Sequence, residues 1–147
     1  MNNYSVNATL STPVTGLKLG LAWDAVQTLT QYPTGYPNAG KNLSVDGNIY
    51  GIYVSYQATD KLSLNLRGEY VDSTDDAYLK NDLPGHLGTV GNGKGEELTA
   101  TVEYDLWANV VSRVEFRWDH AEAGKQFGVT GGDENAYLLA LNLVYKF

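Results

Sequence analysis

The sequence contains no cysteine, so it can form neither a disulfide framework nor a metal or redox centre built on thiolates. It has no run of about 18 apolar residues, which excludes a transmembrane helix. Basic residues are also few, because 10 lysines and arginines oppose 17 acidic residues and leave a net charge of -7. We expect no nucleic-acid partner, since binding to phosphates requires a basic surface.

What the sequence does contain is a repeated alternation of large apolar residues with small or polar ones. Because strand side chains alternate between two faces, each alternating segment predicts a β-strand with one apolar and one polar face. Each segment has roughly nine to eleven residues, the length that a tilted strand needs to cross a bilayer. The predicted strands lie near residues 3–11, 17–27, 49–58, 61–72, 96–106, 110–120 and 136–147.

The connections between these strands fall into two classes of length. TPVTG, ATDK and LWAN are short, whereas residues 31–48, 73–95 and 121–134 are long, polar and rich in Gly, Asp and Asn. Short turns at one end and long loops at the other are typical of outer-membrane barrels. The sequence therefore predicts an all-β fold, a transmembrane antiparallel up-and-down β-barrel. A soluble β-barrel or β-sandwich is the alternative that alternation alone leaves open.

Charged residues in the predicted strands fall on the polar face. Several unpaired charges cannot lie in a dry core, so this face should meet water and the apolar face should meet lipid. Together with Lys146, the charged side chains show a small acidic excess, which predicts a mild preference for cations. The predicted channel-lining residues are Lys18, Asp24, Arg67, Glu69, Glu97, Glu103, Asp105, Arg113, Glu115, Arg117 and Asp119.

Three strands end on an aromatic residue that an aspartate follows closely, in GLKLGLAWDA, LSLNLRGEYVD and VSRVEFRWDH. The aromatic residues are Trp23, Tyr70 and Trp118, and they recur at a spacing of about 48 residues, the period of one hairpin with its loop. We expect them at the outer membrane interface, where amphipathic rings favour the headgroup layer. Tyr145 and Phe147 are expected to form the matching girdle at the turn end.

The last segment, NAYLLALNLVYKF, ends on an aromatic residue preceded by apolar residues at alternate positions. It resembles the C-terminal strand by which the barrel-assembly machinery recognises bacterial outer-membrane barrels. LNLRGEYVD and SRVEFRWDH further resemble the last strands of Gram-negative β-barrel porins, and the resemblance covers essentially the whole chain. The residues that carry the assembly signal are Leu139, Leu141, Leu143, Tyr145 and Phe147.

This resemblance implies a location in the bacterial outer membrane and contact with the lipid bilayer. It also implies passive diffusion of small hydrophilic solutes or ions through a channel whose wall this chain helps to form. The alternative is a non-conducting outer-membrane barrel that serves as an anchor, sheath or surface-interaction protein. Both readings are compatible with a homo-oligomer.

The number of predicted strands is odd, whereas complete bacterial barrels have even numbers with both termini periplasmic. We therefore expect the chain to be the C-terminal part of a larger barrel of roughly 12 to 18 strands. Its edge strands would pair with the missing N-terminal part or with another polypeptide. A missed strand in NLSVDGN is the alternative. The first residues, MNNYSVNATL, do not resemble a signal peptide, so we expect a removed leader or a fragment.

No motif predicts an enzyme, a cofactor or a metal site. GTVGNGKG lacks the Ser or Thr and the helix that complete a phosphate-binding loop. DSTDDAYLKND lacks the glycine and terminal glutamate of a calcium loop and is expected to be a solvated acidic loop. His86 lies in a predicted loop. Ser112 and His120 share a face but lie roughly 25 Å apart along one strand, too far for a nucleophile and its base.

Overall fold

The computed structural model describes residues 2–31, 40, 42–73, 93–122, 127 and 132–147. Each strand is the antiparallel neighbour of the strands before and after it in the chain, which confirms the predicted all-β, up-and-down fold. None of the described residues belongs to a helix long and apolar enough to span a bilayer. The strands of the single sheet are β1 (Asn2–Ser11), β2 (Leu17–Gln31), β3 (Asn42–Gln57), β4 (Leu62–Ser73), β5 (Gly93–Trp107), β6 (Val110–Ala121) and β7 (Asn135–Tyr145).

The hairpin of β2 and β3 is longer than the alternation predicts. β2 continues to Gln31, β3 begins at Asn42, and the two strands stay paired over this whole length. NLSVDGN is therefore the first part of β3 and not an additional strand. In NLSV the apolar residues Leu43 and Val45 fall on the opposite phase from Tyr50, Ile52 and Val54, so the alternation is not continuous along β3 and the sequence pattern gives no sign of the extra length.

The glycine that ends the β1–β2 turn is required by its geometry. Gly16 has a φ of 81° and its carbonyl oxygen accepts a hydrogen bond from the Gln57 N–H at 2.9 Å. A Cβ added at Gly16 would lie 2.6 Å from the Gln57 carbonyl oxygen. Gly68 differs, because a Cβ added there would have no neighbour within 4 Å.

We expect Gly16→Ala to lower the free energy of unfolding by about 1–3 kcal/mol, because other residues are strained at this φ and the methyl group overlaps backbone. Gly68→Ala is the matched control and should leave stability unchanged or slightly raised. Urea titration of the protein folded in lipid vesicles, followed by tryptophan fluorescence, measures both values. Equal losses in the two variants would contradict this explanation.

The sheet has almost no apolar core. Ala121, with 2% exposure, is the only buried apolar side chain in the described part of the chain, whereas Ile52, Leu66 and Leu141 remain 60%, 44% and 75% exposed. A soluble sandwich would pack a second sheet on this apolar face. The described strands form one sheet, and none of them covers the apolar face.

Candidate channel lining

The sheet curves around its polar face. A cavity of about 560 Å³ is lined on one side by Gln57 at the end of β3 and on the other by Lys146 after β7. These two residues lie four strands apart, a separation of about 19 Å in a flat sheet. A cavity lined by residues this far apart, on the same side of the sheet on which Glu97 and Thr99 are buried, indicates that the sheet bends toward that side. We call the polar side the concave face and the apolar side the convex face.

The strand register places the predicted channel-lining residues on the concave face. In an antiparallel ladder, paired residues point to the same side of the sheet. Arg67 is paired with Thr99, which in turn is paired with Arg117. In the adjacent row, Glu97 is paired with both Glu69 and Asp119. We call these two arginines and three carboxylates the charged belt.

Ion pairs hold the three carboxylates of the belt side by side, where like charges would otherwise destabilise the sheet. Arg67 Nη2 lies 2.8 Å from Glu97 Oε2, and Arg67 Nε lies 3.9 Å from Glu69 Oε1. Arg117 donates to both carboxylate oxygens of Asp119, at 2.7 Å from Nη2 and 2.9 Å from Nε. Glu97 is the most enclosed of the three acids, with 8% exposure. The belt retains one excess negative charge.

Two neutral side chains donate hydrogen bonds to carboxylates of the belt, and neither was among the residues predicted from the sequence. The Tyr53 hydroxyl donates to Glu69 Oε1 at 2.8 Å, and the Thr99 hydroxyl donates to Glu97 Oε1. The Tyr53 ring lies over Gly51, where an added Cβ would meet the ring at 2.9 Å. The available signal was an aromatic residue on the polar face with glycine two positions away.

The remaining predicted residues lie on the concave face on both sides of the belt. Arg113 Nε donates to Glu103 Oε1 at 2.7 Å, in a more exposed pair near the turn end. Glu115 accepts a hydrogen bond from the Thr101 hydroxyl at 3.3 Å. Lys18 and Asp24 share this face on β2, and Asp105 lines the 560 Å³ cavity. That all of them line a channel stays a prediction.

The chain matches a known protein family. A family model described as "Putative beta-barrel porin-2, OmpL-like" matches residues 2–147. The chain belongs to this porin family. The family implies an outer-membrane location and a porin-like role. No curated protein and no solved structure matches the chain.

The aromatic residues at the outer end of the porin sheet occupy two neighbouring rows. Trp23 and Tyr70 are both paired with Tyr50, whereas Trp118 is paired with Leu98, one row nearer the turns. Tilted strands place residues of equal height in different rows, so this offset agrees with one aromatic level. Their position at a membrane interface stays a prediction.

Hydrogen bonds direct both indole groups toward the outer end of the sheet. Trp23 Nε1 donates to Asn48 Oδ1 at 3.1 Å, and Trp118 Nε1 donates to Asn135 Oδ1 at 2.9 Å. An apolar ring with its N–H turned to polar partners suits a boundary between lipid and water.

Beyond the aromatic rows, the convex face becomes charged. Lys94 Nζ lies 3.4 Å from Asp72 Oδ1, one row outside Tyr70. The negative charge of Asp72 raises the pKa of the Lys94 ammonium above its usual value. This change from apolar to ionic side chains marks the outer limit of the apolar band.

The C-terminal strand keeps its predicted apolar stripe. Leu139, Leu141 and Leu143 are all exposed on the convex face of β7. β7 ends at Tyr145, and the Lys146 N–H then donates to the Asn109 carbonyl oxygen at 2.8 Å. The last rings, Tyr145 and Phe147, meet edge to face with centroids 5.3 Å apart. The role of these residues as an assembly signal stays a prediction.

The motifs set aside in the sequence add no chemistry to the described residues. His86 and most of GTVGNGKG and DSTDDAYLKND lie outside them. Ser112 Oγ donates to the Tyr104 carbonyl oxygen at 3.1 Å, whereas His120 stacks on Trp118 with its Nδ1 3.0 Å from Asn135 Oδ1. Ser112 and His120 therefore have separate partners. No group of three metal-binding side chains occurs in the described part of the chain.

Proposed function

We propose that the chain forms part of the wall of a Gram-negative outer-membrane channel through which small hydrophilic solutes or ions diffuse passively. The observation that carries the proposal is the distribution of side chains on a curved sheet. The concave face carries the ion-paired belt, and the convex face exposes large apolar residues such as Leu66 and Leu141. Water on the inside and lipid on the outside satisfy both faces.

Planar-bilayer recording of the complete, correctly inserted protein tests this function. We expect stepwise current increases as single channels insert. A barrel that serves only as an anchor, sheath or surface-interaction protein would insert without current. Correct insertion is verified independently by protection of the strands from added protease.

We expect the channel to prefer cations mildly, because acidic side chains outnumber basic ones on the concave face. Glu69→Gln should lower the ratio of potassium to chloride permeability by about twofold to fourfold, since one charge acts on an ion about 5 Å away with about 0.8 kcal/mol in water. Reversal potentials across a potassium chloride gradient give the ratio.

The matched control for this selectivity is Glu96→Gln. Glu96 pairs with Tyr70 and His120 on the convex face, next in sequence to the belt, so its charge lies outside the channel. Its removal should leave the reversal potential unchanged. Clear anion selectivity of the unmodified channel would contradict the prediction.

The two edges of the sheet require further strands. β1 and β7 have one neighbour each in the described sheet, and with seven strands they run parallel to each other. Unpaired backbone groups in lipid cost several kcal/mol each, and bacterial barrels close with antiparallel neighbours. We propose that an odd number of strands, from the same polypeptide or another one, completes the barrel between β7 and β1.

Disulfide scanning of the complete protein tests this closure, because the chain has no cysteine of its own. Cysteine pairs placed on β1 and β7 within one chain should not cross-link. The pair Ala8→Cys and Leu21→Cys, which lies on neighbouring strands, should cross-link and serves as the control. Efficient β1–β7 cross-linking within one chain would show that the sheet closes on itself.

We also propose that the barrel-assembly machinery recognises the end of β7. The exposed stripe from Leu139 to Phe147 offers it a continuous apolar surface. Phe147→Ala should reduce the amount of folded protein in outer-membrane fractions, measured by its heat-dependent electrophoretic mobility. Lys146→Ala, which changes the opposite face, should not. A normal amount of folded Phe147→Ala would contradict recognition through this residue.

A further inference from the structure

The described residues of the β6–β7 connection continue the sheet beyond the ends of its strands. The Ala121 N–H donates to the Glu134 carbonyl oxygen at 2.8 Å. Phe127 and Asp133 then exchange two backbone hydrogen bonds, at 3.0 and 3.2 Å. Phe127 is thus fixed by its backbone near the outer end of β6.

The Phe127 side chain lies on the concave side of the sheet. It lines a cavity of about 140 Å³ together with Glu69, Glu97, Arg117 and Asp119, four of the five members of the charged belt. Phe127 is half-buried there. Among the described residues, Phe127 thus places an apolar ring beside the belt on the outer side of the sheet.

The lining of this cavity also includes two small residues. Gly95 and Ala121 are paired with each other, line the same cavity and are both buried. Along the concave face of β5, burial is confined to the outer half: Glu97 and Thr99 are buried, whereas Glu103 nearer the turns is partly exposed. The outer half of the concave face is therefore covered, and Phe127 belongs to that cover.

We propose that Phe127 narrows the channel immediately outside the charged belt and so limits the size of solute that reaches the belt. This inference rests on the proposed channel function. A phenyl ring fills space without offering hydrogen bonds, so it excludes bulky solutes without binding small ones. The carboxylates and arginines beneath it then act on solutes that have passed this constriction.

Single-channel recording of Phe127→Ala tests the proposal, with Phe116→Ala as the matched control on the convex face of β6. Phe127→Ala should raise the unitary conductance and shift the exclusion limit to larger polyethylene glycols. Phe116→Ala should leave both values unchanged. Unaltered conductance and exclusion limit in Phe127→Ala would overturn the proposal.

A second variant gives an independent readout, because a cysteine introduced at this position is the only thiol of the chain. Treatment of Phe127→Cys with a membrane-impermeant cationic thiosulfonate should lower its unitary conductance, and a reducing agent should restore it. Phe116→Cys should not respond. A unitary conductance of Phe127→Cys that does not change on modification would overturn this inference alone. Absence of channel events in the unmodified protein would overturn both this inference and the channel function.

Discussion

Replacing Leu66 by arginine should lower the free energy of unfolding in lipid vesicles by about 2–4 kcal/mol, the cost of a basic side chain near the bilayer midplane. Leu66 lies in the middle of the apolar band, between Val54 and Ala100, and it is exposed on the convex face. Lipid cannot solvate the guanidinium there, and the side chain is too far from either interface to reach water easily.

The neighbouring residue provides the control for this substitution. Asn65→Arg introduces the same side chain on the concave face, where Asn65 lines a cavity of about 390 Å³ together with Glu115. The change in stability should stay below about 1 kcal/mol, since the new charge meets water and a carboxylate. Urea unfolding of both variants in vesicles gives the comparison. A larger loss for Asn65→Arg than for Leu66→Arg would reverse the assignment of the two faces.

Arg67→Ala should be more destabilising than Arg113→Ala, although both remove an arginine from a cross-strand ion pair. Glu97, the partner of Arg67, is 8% exposed, and removal of the cation leaves an enclosed carboxylate beside Glu69 and Asp119. Breaking such a pair costs about 3–5 kcal/mol when it is fully buried, and since the Arg67 side chain is 38% exposed we expect about 2 kcal/mol here.

The Arg113 pair with Glu103 is 43% and 28% exposed, and its loss should cost about 1 kcal/mol or less. The decisive measurement adds Glu97→Gln to Arg67→Ala. If the enclosed charge causes the loss, the double variant should regain most of the stability. A double variant as unstable as Arg67→Ala would show that lost packing, and not the unpaired carboxylate, explains the effect.

Part of this arrangement could be predicted from the sequence alone. Alternation placed Leu66 and Asn65 on opposite faces, because a strand has a fixed period of two. The same period put all the predicted charges on one face, as the register shows. It did not reveal the outer ends of β2 and β3, because Leu43 and Val45 fall on the opposite phase from the apolar residues in the rest of β3.

The alternation of apolar and polar residues does not predict which arginine pairs with which carboxylate in the belt. Arg67 has Glu69 two positions away in its own strand, yet its shorter contact is with Glu97 on β5. Residues 74–92 separate these strands in the sequence, and a connection of that length does not fix the register between them. The support from Tyr53 and the position of Phe127 over the belt likewise depend on residues that are distant in the chain.

The sequence by itself determined that the chain makes seven strands with an apolar and a charged face, because side-chain alternation and strand length are local properties. Only the tertiary structure decided that the sheet curves around the charged face, since curvature arises from the pairing of all the strands together. A sheet of the same pattern curved the other way would enclose its apolar face, as a soluble barrel does. Curvature toward the charges leaves the apolar residues outside, which is the arrangement of a porin wall.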